Sequence, residues 1–211
     1  RLRRVDARAE QRLKKLVYAH LQSVWPSIYR SARNLRKQST PIDWRGWQYE
    51  FDRAMLAEML PLGGDYASAE AQYFKQSRGV EFQPDEQAVF GYYEVGAQAR
   101  LKDVGETTAR NVQLILAAWA TEWSVEEVTK RLAQWFSRDR AKLIAITEMA
   151  ELSSAASRWS FGQAHVGRWL CVGSKTMPCV LCERNAGITF TMRDKFPPFH
   201  PGCLCRAFPL A

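Results

Sequence analysis

The chain has 211 residues, 46% of them hydrophobic and 25% charged, with a formal net charge of +8. That balance is ordinary for a globular protein with a packed core. No stretch approaches the roughly 18 to 20 apolar residues a membrane helix needs, and the first residues, RLRRVDARAE, carry no secretory apolar run. The expectation is a soluble intracellular protein with no membrane partner. Residues 1 to 37 hold eleven Lys and Arg against Asp6 and Glu10, while the whole chain is only +8, so the basic excess belongs to the N-terminal segment.

From Leu13, apolar residues recur at Leu16, Val17, Leu21 and Val24 with Arg12, Lys14 and Lys15 between them, which predicts a basic amphipathic helix. Pro26 ends or kinks it, and Ile28, Ala32 and Leu35 suggest a further helical piece. Trp44, Trp47, Phe51, Met55 and Met59 mark one face of another helix between Pro41 and Pro61, an aromatic stripe read as core. PLGGDYASAEAQ reads as a loop, with the loosest point of the chain near Gly63 to Ser68. Helical segments return in PDEQAVFGYYEVGAQARL, ETTARNVQLILAAWATEW and SVEEVTKRLAQWF, the last opened by a Ser124/Glu127 capping box that starts a helix at Val125. One more helix is expected from about Arg138 to Ala164. After Gly167, RWLCVG and GITFTM read as short strands. The expected architecture is mainly α-helical with a small C-terminal α+β lobe. It divides into a basic helical arm (1–62), a linker (63–83), a helical domain (84–166) and a metal-stapled lobe (167–211).

All five cysteines lie in the last 41 residues, at Cys171, Cys179, Cys182, Cys203 and Cys205. A disulfide framework would be scattered through a short secreted chain, so metal binding is the better reading. Cys179-x-x-Cys182 lets two sulfurs face one ion, and His200 with Cys203 or Cys205 completes a closed four-ligand site of the kind structural zinc requires. Cys203 and Cys205 compete for the fourth place. A redox dithiol would want a thioredoxin-like setting, which is missing, and an open catalytic zinc site would want a partner for its water. Cys171 reads as a small hydrophobe, and His20 and His165 as satisfied or solvated side chains. No Gly-rich phosphate loop, Gly-x-Ser-x-Gly elbow or His-Glu-x-x-His occurs, so an enzyme is not expected.

In content and order, LIAITEMAELSSAASRWSFGQAH, Trp169, the Cys-x-x-Cys, Gly187 and PPFHPGCLC resemble the head-morphogenesis domain of tailed bacteriophages, the minor head proteins of the Mu F type, over roughly residues 85 to 211. Thr147 and Glu148 match that family's Thr-Glu pair, and Cys179, Cys182, His200, Cys203 and Cys205 match its metal-like cluster. The sequence departs from the pattern at SKTMPC, where the family commonly has an Asp before the first Cys, and at Leu204, where it has a basic residue. The resemblance implies a virion component near the portal vertex, made in the host cytoplasm, that acts in head assembly, DNA packaging or genome delivery. Its partners would be the portal protein, with packaged double-stranded DNA and the major capsid or scaffolding protein as further ones. Glu148 is expected to be structural, not a catalytic acid.

The basic residues Arg1, Arg3, Arg4, Arg8, Arg12, Lys14 and Lys15 are the candidate DNA- or portal-binding set. They would meet phosphates with a salt-dependent affinity, or the helix would dock its apolar face on an acidic portal surface. Two rival readings are a DNA-binding module stabilised by zinc and, less favoured, a zinc-dependent nuclease.

Overall fold

The computed structural model describes residues 2–28, 42–119, 125–173 and 179–210. Among the described residues five long helices form the body: α1 (Leu2–Ser23), α2 (Trp44–Arg78), α3 (Glu86–Trp119), α4 (Val125–Trp135) and α5 (Arg138–Gln163). They are followed by β1 (Arg168–Val172), the short α6 (Val180–Asn185), β2 (Thr189–Thr191) and β3 (Arg206–Pro209). The mainly helical fold with a small C-terminal sheet is as expected. No helix among the described residues is long and apolar enough to cross a membrane.

Leu13, Val17, Leu21, Val24 and Ile28 repeat every three or four residues and are all buried, which is why α1 forms and where it packs. It lies against α5 and α2. The apolar face of the basic helix is thus inside the helical body and unavailable to an outside partner. α1 stops at Ser23, and a further helical turn covers 25–28, around Pro26. The continuation expected through Ala32 and Leu35 falls outside the described residues, as does Ser124 of the capping box.

The loop expected near Gly63 to Ser68 is not there: α2 runs through Pro61, Gly63 and Gly64 as far as Arg78, and Gly79, in the left-handed region, stops it. The glycines allow close packing instead of breaking the helix. A Cβ on Gly64 would come within 2.8 Å of the Glu86 carboxylate on α3. The two segments expected on either side of Gly105 are likewise one helix, α3. A Cβ on Gly105 would fall on the side-chain amide of Gln48, so glycine leaves that amide its place between α2 and α3.

α5 is the central helix and packs against α1, α2 and α3. Its apolar residues are spread around it because it is covered on several sides. Ser137 caps its start by accepting the Arg140 N–H at 3.2 Å. At its end Val166 N–H bonds Phe161 C=O at 2.9 Å and His165 N–H bonds Gly162 C=O at 3.2 Å, a Schellman motif with His165 at φ 54° in the left-handed position.

The sheet has the order β2-β1-β3, antiparallel throughout, with Trp169 opposite Phe190 and Pro209. Trp169 is fully buried between Phe190 and Phe196, and its indole N–H donates to Thr191 C=O at 3.0 Å. The lobe has its own small core of Trp169, Phe196, Val166 and four cysteines, joined to the helices through Phe74 and Phe161.

Candidate metal centre

The five cysteines are free thiols, and four of them converge with His200 in the C-terminal lobe. Cys179 caps the short helix α6: its sulfur accepts the Cys182 N–H at 3.4 Å and its carbonyl takes the Glu183 N–H at 2.8 Å. One helical turn therefore brings both sulfurs to the same side. From the other direction, the segment His200-Pro201-Gly202-Cys203 closes a turn, Cys203 N–H to His200 C=O at 3.1 Å, with Pro second and Gly third at φ 74°. The turn carries a candidate ligand at each end.

Between these two supports, the imidazole Nε2 of His200 lies 3.0 Å from Cys179 Sγ and 3.1 Å from Cys182 Sγ, and Cys182 Sγ lies 3.7 Å from Cys203 Sγ. Cys179, Cys182 and His200 form one group of mutually close donors, and Cys182, Cys203 and Cys205 form another, with Cys182 common to both. This cluster could hold a metal ion. The Nδ1–H of His200 donates to Pro201 C=O at 2.8 Å, which leaves Nε2 as a lone pair facing two sulfurs. One lone pair cannot satisfy two thiol hydrogens, whereas a cation between the three atoms is met by all of them.

The backbone N–H of Cys182 pulls the Cys179 thiol below its ordinary pKa. Burial pushes Cys182 well up and Cys205 up to about 11, so without a cation those sulfurs stay protonated. A bound divalent ion reverses that preference. Cys171, buried in β1, is also raised by burial and belongs to the lobe's core, as its apolar setting suggested.

Thr147 and Glu148 are neighbours on α5 that point different ways. Thr147 Oγ1 accepts the Gly202 N–H at 2.9 Å, a link from the central helix to the turn that carries His200 and Cys203, which sequence spacing alone does not reveal. Glu148, 2% exposed, bonds Tyr93 and Arg100 on α3.

Of the basic set, Arg8, Arg12 and Lys15 are exposed along one stripe of α1 and Lys14 is half-buried. Arg12 is 4.0 Å from Glu58. The side chains of Arg3 and Arg4, and all of Arg1, lie outside the described residues. His20 is satisfied as expected: its Nε2–H donates to Trp47 C=O at 2.9 Å.

No protein-family model, curated protein or solved structure matches the chain.

Proposed function

We propose that this protein is a minor head protein of a tailed bacteriophage that works at the portal vertex in head assembly, DNA packaging or genome delivery, and that its C-terminal lobe is fastened by a structural zinc ion. The observation that carries the reading is the contact between Thr147 and Gly202. The two most distinctive stretches of the resemblance, the Thr-Glu helix and the Pro-Pro-x-His-Pro-x-Cys-x-Cys ending, are 55 residues apart in the chain and meet as parts of one unit.

Zinc suits the donor set. Thiolates with one imidazole are its usual closed site, and the Cys182–Cys203 separation of 3.7 Å is close to the edge of about 3.8 Å that two 2.3 Å zinc–sulfur bonds subtend in a tetrahedron. The two Cys–His separations are shorter than the corresponding edge. Cys179, Cys182 and His200 hold three places, and Cys203 or Cys205 takes the fourth. The ion would cross-link a lobe whose own core is too small to fold unaided.

Both carboxylate oxygens of Glu148 are occupied by Arg100, and one also by Tyr93, which favours a structural role for it over that of an acid in a nuclease. With the apolar face of α1 packed away, a partner meets only its charged face: DNA phosphates or an acidic portal surface.

The test is co-sedimentation of the protein with the portal ring of the phage that encodes it, at low and high salt, alongside a salt titration of DNA binding. Portal binding is the expected outcome, and its absence at both salt concentrations would sink the reading. The arm is tested by replacing Arg8, Arg12 and Lys15 with Gln. Deleting it would instead uncover the faces of α2 and α5 on which Leu13, Val17 and Leu21 pack. DNA affinity lost in Cys182→Ser but kept in the Gln variant would favour the zinc-stabilised DNA-binding module.

A further inference from the structure

We infer that Thr147 is a positioning residue for the metal centre, acting on His200 through the peptide between Pro201 and Gly202. The inference rests on the metal reading above and concerns how the ligand is held.

That single peptide unit is gripped at both ends. Its N–H, from Gly202, donates to Thr147 Oγ1 at 2.9 Å. Its C=O, from Pro201, accepts the His200 Nδ1–H at 2.8 Å. The Thr147 hydroxyl hydrogen is already committed to Leu143 C=O at 2.8 Å, so the oxygen turned toward Gly202 is an acceptor only. The chain of bonds has one direction: Leu143 carbonyl, Thr147 hydroxyl, peptide plane, imidazole, metal-facing Nε2.

The turn itself has two available forms. With Pro second and Gly third at positive φ, the central peptide is oriented as in a type II turn, and rotating that peptide by about half a turn gives type I. In the rotated form the Pro201 carbonyl would leave His200 Nδ1, and the Gly202 N–H would leave Thr147. The hydroxyl of Thr147 therefore selects the form in which the ring is held with Nε2 free for the ion. Leu143, one helical turn before Thr147, backs the same peptide: a Cβ on Gly202 would come within 2.8 Å of Leu143 Cδ1, so the turn sits directly on α5.

Losing the direct partner of a ligand typically lowers metal affinity about 10- to 100-fold, and Thr147, one peptide further out, belongs at the lower end of that range. Three variants separate the effect of the hydroxyl from that of packing. Thr147→Val keeps the shape and removes the acceptor, Thr147→Ala removes both, and Thr147→Ser keeps the acceptor. Zinc affinity is measured by competition with a chromogenic chelator, and ligand geometry from the absorption spectrum of the cobalt-loaded protein. The tautomer of His200 is read from imidazole nitrogen chemical shifts in the zinc-loaded wild type.

The expected result is a loss of about 10-fold or more in Thr147→Val and Thr147→Ala, with Thr147→Ser within about threefold of wild type. The nitrogen shifts should give a protonated Nδ1 and a metal-bound Nε2. Wild type and Thr147→Val binding zinc equally would overturn the inference and leave the metal reading standing. So would a metal-bound Nδ1 in the wild type, a measurement that needs no variant to fold. A wild-type protein that binds neither zinc nor cobalt would overturn the metal reading, and this inference with it.

Discussion

Arg100 on α3 holds Glu148 on α5 with two hydrogen bonds, Nε to Oε1 at 3.1 Å and Nη2 to Oε2 at 3.0 Å, and the Tyr93 hydroxyl adds a third at 2.8 Å. Glu148 is 2% exposed, so its charge depends on these partners. Burial and the Glu148 charge together push the Tyr93 hydroxyl well above its ordinary pKa and keep it a donor. Arg100→Met should cost about 3 kcal/mol, because it strands a buried carboxylate. Arg100→Met with Glu148→Met should recover much of that loss. Urea unfolding of the two variants checks both figures, and a cost below about 0.5 kcal/mol in the single variant would mean that the pair is not holding α3 to α5.

Gly105→Ala should destabilise by about 1–3 kcal/mol. In an exposed helix interior the same change stabilises by about 1 kcal/mol. Here a Cβ would land on Gln48, whose amide N–H donates to Leu101 C=O at 3.0 Å and also bonds Asp52. The sign of the shift in urea midpoint decides between close packing and a neutral helix position.

These glycines also mark where sequence reasoning stops. Pro61, Gly63, Gly64 and Gly105 are helix breakers when read along the chain, but each sits in a helix whose neighbours hold it, and packing overrides propensity. The stripes at Leu13–Val17–Leu21 and Trp47–Phe51–Met55–Met59 were legible because a single buried face leaves a period, and the cysteine and histidine spacing was legible because ligands must converge. β3 was not, since RAFP is four residues long, contains Pro209 and becomes a strand only by pairing with β1. The Thr147–Gly202 bond depends on which face of α5 meets the turn, information no spacing carries.

His165→Gly should raise stability by about 0.5–1 kcal/mol. His165 is exposed and held at φ 54°, where a side chain is strained and glycine is not, and the two capping bonds around it use only backbone atoms. An unchanged or lower thermal midpoint would show that the imidazole makes a contribution the cap does not explain.

His20 gives the helical body a pH dependence. The ring packs against both Trp47 and Phe51, with centroids at 5.0 and 5.1 Å. Burial lowers its pKa, against the opposing pull of the Trp47 carbonyl, Glu50 and Asp52. Because the folded value lies below 6.5, the unfolded chain binds the proton more readily, and stability falls as pH drops from about 6.5 toward the folded value. Asp52 and Glu70, both raised by burial, act with the opposite sign. Urea midpoints at pH 7.5 and 5.5 should therefore fall more in wild type than in His20→Gln. Parallel slopes would assign the pH effect elsewhere, including to the cysteine–histidine cluster.

If the cysteine–histidine cluster holds an ion as proposed, removing that ion should separate the two cores. The lobe's core of Trp169, Phe196, Val166 and the cysteines is small, and three of its members, Cys182, Cys203 and Cys205, are candidate ligands. The helical core of α1 to α5 contains none of the candidate ligands. With chelator, amide hydrogen exchange at residues 168–172 and 180–209 should speed up by roughly tenfold or more, while α1 and the first half of α3 keep their protection. The end of α5 is the informative region between them, since Phe161 packs in the lobe's core and Thr147, four turns earlier, holds the His200–Cys203 turn. Exchange spreading from Phe161 back toward Thr147 would mean that the ion stabilises the central helix as well as the lobe. Uniform exchange across the chain would mean one cooperative unit, and no change at all would mean that the sheet and its aromatic core hold without the ion.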